Sequence, residues 1–212
     1  MRIPAQLFSL TVAAALVGCS SLIPPQKVPN TLGLAGQQVG VEIGATGAGV
    51  SSATATGLGV VKTSFPDVDT SSVPISVSLS QTLFKIGFVA DTRLSTSAAP
   101  LPCTIILTKL DIKVTLSDAQ RSLTLPTFSV NKVVELEQQA ADPNTYRIVN
   151  ADVFVGNVLS GEEVRRLQEV ITTGGINRAE VHLSVQATSV PDLPPGSVLT
   201  FTFGTSEATL AF

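Results

Sequence analysis

Tryptophan is absent from this 212-residue chain, tyrosine and histidine occur once each, and cysteine occurs twice. Each scarcity argues against a class of function. Sugar-binding sites commonly stack rings on Trp or Tyr faces, so carbohydrate recognition is demoted when Tyr146 stands alone. One His and two Cys leave little from which to build a zinc or copper site of the usual nitrogen and sulfur type. Charged residues make up 14% of the chain and the formal net charge is -3, so the basic excess that neutralises phosphates is missing and no nucleic-acid partner is expected. The same low charge, set beside 44% hydrophobic residues, marks a folded chain rather than a disordered one.

What is present begins with an address. Arg2 is followed by an apolar run from Leu7 to Val17, too short for a bilayer span of about 20 residues. Residues 1–18 therefore read as a cleaved signal peptide. Leu16-Val17-Gly18-Cys19 resembles the lipobox of bacterial lipoproteins. The resemblance covers the leader alone, and it implies cleavage before Cys19, a lipid on Cys19 and a membrane anchor. Ser20, where an Asp would favour inner-membrane retention, implies an outer-membrane address in the cell envelope. Lipidation of Cys19 leaves Cys103 without an intramolecular partner, so no structural disulfide is expected and Cys103 reads as a small buried hydrophobe.

Residues 19–57 read as a tether with a possible first strand. Pro24, Pro25 and Pro29 favour extended polyproline structure from Ser20 to Asn30, and the alternation of Val39, Val41 and Ile43 suggests the strand. Residues 58–212 read as one β-sandwich domain, because period-two alternation dominates. Val73, Ile75, Val77 and Leu79 alternate with polar residues, as do Phe84, Ile86 and Phe88. The longest signal is Thr104 to Leu116, with Leu110, Ile112, Val114 and Leu116 on one face and Lys109, Asp111 and Lys113 on the other. Further strands are expected around Phe128 to Glu137, Tyr146 to Val155, Ala179 to Ala187, Val198 to Phe203 and Ala208 to Phe212. Turn residues separate them at Asp142-Pro143-Asn144, Pro191-Asp192 and Pro194-Pro195-Gly196.

One segment departs from this period. Ser160 and Glu163 match a capping box, Val164, Leu167 and Ile171 recur at helical spacing, Arg165 and Glu169 form an i,i+4 pair, and Gly174-Gly175 supplies a stop. A helix over 160–173 is expected to cover a sheet edge or one end of the sandwich. The expected fold class is thus mainly β: an antiparallel β-sandwich, Ig-like or small-barrel-like, with one short helix. Two small β modules meeting near Ser117 to Leu125 are the alternative arrangement.

Chemistry is sparse. His182 alternates with Val181 and Leu183 and so points with Glu180, Ser184 and Gln186 to the outer face, with no orienting partner or nucleophile evident. Asp67-Val68-Asp69 starts like a calcium loop, but Ser72 stands where the glycine belongs and Ser78 where the bidentate Glu belongs. Glu135 and Glu137 read as a solvated face, and Glu162 and Glu163 as acids at a helix start. No phosphate-cradling Gly loop, G-x-S-x-G elbow or H-E-x-x-H occurs. Phe212 is similar to the aromatic end of an outer-membrane barrel strand, yet the aromatic girdles of such barrels are lacking.

No catalytic, metal-binding or cofactor-binding residues are expected. The expectation is a non-catalytic, lipid-anchored envelope domain acting as a structural or protein-interaction module. Its partners are the membrane, through Cys19, and another envelope protein. A carrier of lipid or another apolar ligand is the alternative, because Ile105-Ile106 and Val133-Val134 put hydrophobes on both faces of a strand. A cavity of several hundred Å³ would favour the carrier. A hydrolase assembled from scattered Ser, Asp and His182 ranks last.

Overall fold

Alternating apolar residues can bury one sheet face while the other stays solvated, and the chain follows that rule almost throughout. The computed structural model describes residues 24–30, 32–43, 55–66, 81–96, 104–130, 132–149, 154–172, 176–190 and 193–211. The expectations at Cys19, 67–79, Cys103, Gly174-Gly175, Pro191-Asp192 and Phe212 lie outside those residues. The strands are β1 (Gln26–Pro29), β2 (Gln38–Ile43), β3 (Ala55–Pro66), β4 (Gln81–Phe88), β5 (Asp91–Ser95), β6 (Thr104–Ser117) and β7 (Ser122–Thr124). Then come β8 (Phe128–Ser129), β9 (Val134–Gln139), β10 (Asp142–Ile148), β11 (Phe154–Ser160), helix α1 (Glu162–Ile171), β12 (Ile176–Val190) and β13 (Ser197–Ala211).

Every ladder among them is antiparallel. The larger sheet runs β3-β12-β6-β9-β10-β5-β13-β2, with β7 and β8 also pairing with β6. The smaller sheet runs β11-β4-β13-β1. Strand β13 belongs to both. Its Val198–Thr202 part pairs with β2 and β5, the register slips between Phe203 and Ser206, and the remainder pairs with β1 and β4. The two strands expected at Val198–Phe203 and Ala208–Phe212 are therefore one strand that turns the corner between sheets. Phe88 braces that corner, stacked on Phe203 at 5.0 Å and edge-on to Phe201 at 5.8 Å.

A single hydrophobic cluster fills the space between the sheets, from Leu34 and Val41 through Ile112 and Leu183 to Phe203. Among the described residues the observed class is an antiparallel β-sandwich with one short helix. Ser122 to Thr124 form a hairpin with the end of β6 rather than a boundary between two modules.

Several boundaries differ from expectation for identifiable reasons. Of the stretch expected to be a tether, Gln26–Pro29 pairs with β13, and Leu32, Leu34, Val39 and Val41 are buried, so the sandwich begins near Gln26 instead of 58. The expected Phe128–Glu137 strand is two, β8 and β9, and Tyr146–Val155 likewise divides between β10 and β11. The tight turn of the β9–β10 hairpin falls at Ala140-Ala141, one step before Asp142-Pro143-Asn144. Those residues form an irregularity after it, held by Asn144 N–H and Thr145 hydroxyl donating to the Asp142 carboxylate at 3.0 and 2.7 Å. The Thr145 hydroxyl is the larger reason that Asp142 stays below the usual carboxylate range.

Helix α1 packs against β11 and β7 across one end of the sandwich, burying Val164, Leu167, Val170 and Ile171. Its start corrects the capping-box expectation. The N-cap is Gly161, at φ +56, which has no side chain with which to cap the helix. Glycine adopts that backbone without the Cβ penalty other residues meet, which lets the chain turn from β11 directly into α1. The expected Arg165–Glu169 pair is present, and Arg165 also grips Glu162, with Nε donating to Oε2 at 2.8 Å.

Candidate functional site

The order β3-β12-β6 places three long strands side by side with their outer faces exposed. A bulge sets the face of β6. Gln186 faces Lys109 while Ala187 faces Leu107, so Thr108 is the extra residue, and its hydroxyl lies 3.4 Å from the Gln186 carbonyl. The bulge switches the inward parity from Ile105 and Leu107 to Leu110, Ile112, Val114 and Leu116. Consequently Lys109, Asp111 and Lys113 all face outward, as the sequence suggests.

Across this face the register makes rows perpendicular to the strands. One row is Leu58, Ser184, Asp111 and Ser129, each directly opposite the next on β3, β12, β6 and β8. It is flanked on one side by Val60, His182 and Lys113, and on the other by Thr56, Gln186 and Lys109. Short serines between long neighbours leave a trough. Its β3 end is a depression of about 550 Å³ lined by Glu42, Thr56, Gly57, Leu58 and Ser184. Its β8 end is one of about 320 Å³ lined by residues including Lys109, Asp111, Ser129, Lys132 and Val133. Ser184, which lines the first, faces Asp111, which lines the second, across the β12–β6 ladder.

Asp111 is the polar centre of the trough. Its Oδ2 is 2.9 Å from Lys109 Nζ, while its Oδ1 is buried without a hydrogen-bond partner among the described residues. Next to it, His182 Nε2 lies 2.7 Å from Glu180 Oε1, and Glu180 Oε2 lies 3.1 Å from Lys62 Nζ. The Lys62 hydrogen bond, followed by that of His182, holds the Glu180 carboxyl below its usual range. His182 thus does have a carboxylate partner, which sequence alone could not supply. The pair lies on an open strand face with the His182 side chain 41% exposed.

The apolar cavity beneath α1, between Phe65, Phe84, Leu116, Leu167 and Leu210, holds about 10 Å³, room for about one water molecule. Of the apolar pairs that suggested a carrier, Ile105 and Val134 join the core, whereas Ile106 is half-buried and Val133 is exposed. Glu135 and Glu137 are exposed, and no cluster of three or more metal-ligating side chains occurs among the described residues. The sequence did not reveal the trough, because its row is assembled by register from four separate strands.

No family model matches the chain, and no curated protein matches it. Among solved structures, an unassembled pentamer of a mutant Washington University polyomavirus VP1 aligns over 88% of this chain and 97% of that one, at 10% identity and a TM-score of 0.20. A superposition that loose carries no argument. The site must be read from its own chemistry.

Proposed function

We propose that the protein is a non-catalytic, lipid-anchored domain of the cell envelope that works as a protein-interaction module. Cys19 carries the lipid in this reading, and the outer membrane is its address. Strand β1 starts at Gln26, so the segment from Cys19 reaches at most about 23 Å at roughly 3.3 Å per residue, which keeps the sandwich close to the lipid surface. One observation supports the interaction reading: among the described residues, the depressions on the outer face of β3, β12 and β6 exceed the cavity beneath α1. The trough depressions measure about 550 and 320 Å³, against about 10 Å³ in the apolar cavity beneath the helix. A carrier needs the reverse distribution.

The test is the intact mass of the protein isolated from its native membrane, beside a Cys19→Ala variant, with bound material extracted from both. A wild-type chain heavier than residues 19–212 by its acyl groups, with no co-extracted small molecule, is the expected result. A stoichiometric apolar compound in the extract supports the carrier instead, and a wild-type chain without lipid removes the anchor.

A further inference from the structure

The larger sheet ends at β3, and the alternation of backbone bonds across it shows which groups that edge leaves over. The carbonyls of Leu110 and Val114 on β6 accept from Val130 and Leu125 N–H, so the backbone groups of Asp111 and Lys113 point the other way, to β12. Ser184 and His182 face those two residues and bond to β6, which leaves Val185, Leu183 and Val181 to bond Gly57, Gly59 and Val61 on β3. The N–H and C=O groups of Thr56, Leu58, Val60 and Lys62 therefore point off the edge, and nothing among the described residues pairs with them. Natural edge strands are usually short, or broken by charge, proline or a bulge. Strand β3 has 12 residues, its ladder with β12 has no bulge, Lys62 is its only charged residue and its one proline, Pro66, stands at the end. By contrast β1 has 4 residues, and β2 lies beneath Gly57 and Gly59 of β3 rather than beside them.

We infer that β3 pairs antiparallel with the β3 of a second copy of this chain, about a two-fold axis at Gly59. The inference goes beyond the proposed function and depends on neither the lipid anchor nor an envelope partner. The occupant follows from what that register brings together. Leu58 lies opposite the partner's Val60, Val60 opposite the partner's Leu58, Thr56 opposite the partner's Lys62 and Lys62 opposite the partner's Thr56. Each of these pairs exchanges two backbone bonds, about eight in all. Leu58 and Val60, 74% and 49% exposed, cover one another across the axis. The partner's Lys62 arrives at the Thr56 end, where Glu42 lines the depression and makes no ion pair among the described residues. Lys62 holds Glu180 of its own chain at 3.1 Å, and an ammonium with three donors can hold a second carboxylate as well. An axis one residue on, at Val60, would separate the apolar pairs and set Lys62 against the partner's Leu58. A foreign strand would have to supply this apolar pair and this cation at matching positions, whereas a second copy brings both by symmetry.

The test reads the register directly. Two differently tagged copies of the full chain are produced in the same cells, one with Leu58→Cys and the other with Val60→Cys, and the cells are mildly oxidised. Opposite residues of a bonded pair have Cα atoms about 5.5 Å apart, within disulfide reach, whereas two copies of the same residue lie on a diagonal of about 7–8 Å. A mixed-tag disulfide dimer should form, with at most about a tenth as much dimer from either variant alone, because the diagonal lies outside disulfide geometry. No mixed dimer, or as much from a single variant as from the mixture, overturns the inference.

A second arm uses no added cysteine. Capture of one tag should bring down the other. Val60→Lys, at an exposed position, sets two further ammonium groups beside the axis and should abolish that co-capture with an unchanged circular dichroism spectrum, and Glu42→Lys should reduce it several-fold. Hydrogen exchange of the purified chain should be slow at the Leu58 and Lys62 amides and become fast in Val60→Lys. Co-capture indifferent to Val60→Lys overturns the inference. So does equal amide protection in both proteins, which would mean that a segment of the same chain covers the edge. Either result leaves the lipid anchor and the envelope partner standing.

Discussion

A Cβ atom added to Gly57 would lie 2.3 Å from Cγ1 of Val41 and 2.5 Å from the carbonyl oxygen of Glu42. Gly59 repeats the relationship two residues on, at 2.5 Å from Val39 Cγ2 and 2.6 Å from the Gly40 carbonyl oxygen. Strand β2 therefore lies directly against β3 at two bare backbone positions. Side-chain rotation relieves the valine contacts but not those with backbone oxygens, so β2 has to shift. Gly57→Ala and Gly59→Ala should each destabilise the fold by about 1–3 kcal/mol, as overpacking does. Urea unfolding checks this, and a midpoint unchanged in both variants would mean that β2 does not rest on β3.

The Lys62–Glu180–His182 chain sets a pH dependence. Because Glu180 is held below the ordinary carboxylate range in the folded protein, its contribution to stability is present above the unfolded value of about 4.3. That contribution disappears as pH falls through the lower folded value. Lys62→Met should move the Glu180 titration upward toward the ordinary range, and His182→Ala should move it less, since the Lys62 hydrogen bond is the larger cause. Carboxyl ¹³C titration by NMR reads both shifts. A Glu180 that titrates identically with and without Lys62 would remove the ion pair from the account.

Faces were legible in the sequence where one strand keeps one parity. Val181, Leu183 and Val185 inward with Glu180 and His182 outward follow from alternation alone. So does the inward set Val39, Val41 and Ile43. Legibility failed where a local irregularity resets the pattern. The slip between Phe203 and Ser206 makes one long strand look like two. The start of α1 failed for a different reason. Ser160 and Glu163 match the capping pattern, but the chain enters the helix through the left-handed backbone of Gly161, where no side-chain cap forms. The trough was illegible because it is a property of register, and nothing along β12 announces that Ser184 will face both Leu58 and Asp111.

Helix α1 allows burial and surface charge to be compared within one element. Leu167 is fully buried at the end of the sandwich, where it lines the small apolar cavity. Leu167→Ala should cost about 2–5 kcal/mol, with the upper part of the range reached if the existing cavity enlarges rather than collapses. Arg165 bridges Glu162 and Glu169 in solvent, so Arg165→Ala should cost far less than Leu167→Ala. Thermal unfolding of the two variants orders them. An Arg165→Ala loss equal to that of Leu167→Ala would show that the helix is held by charge and not by its apolar stripe.

Thr82 on β4 and Thr92 on β5 pose the opposite test, a change that removes a hydrogen-bonding group and should do no harm. Both side chains are fully buried, and neither hydroxyl has a hydrogen-bond partner among the described residues. A buried hydroxyl without a partner keeps its full desolvation penalty, on the order of 1–3 kcal/mol, with nothing returned to offset it. Valine has nearly the same shape and no hydroxyl, and its β-branched side chain suits a strand. Thr82→Val and Thr92→Val should therefore be neutral or stabilising, by up to about 1 kcal/mol each, with unchanged urea m-values. The sites are on different strands, so the two effects should add unless the pockets touch. A loss of 1 kcal/mol or more at either site would mean that the hydroxyl has an acceptor in solution, for which a trapped water is the natural source.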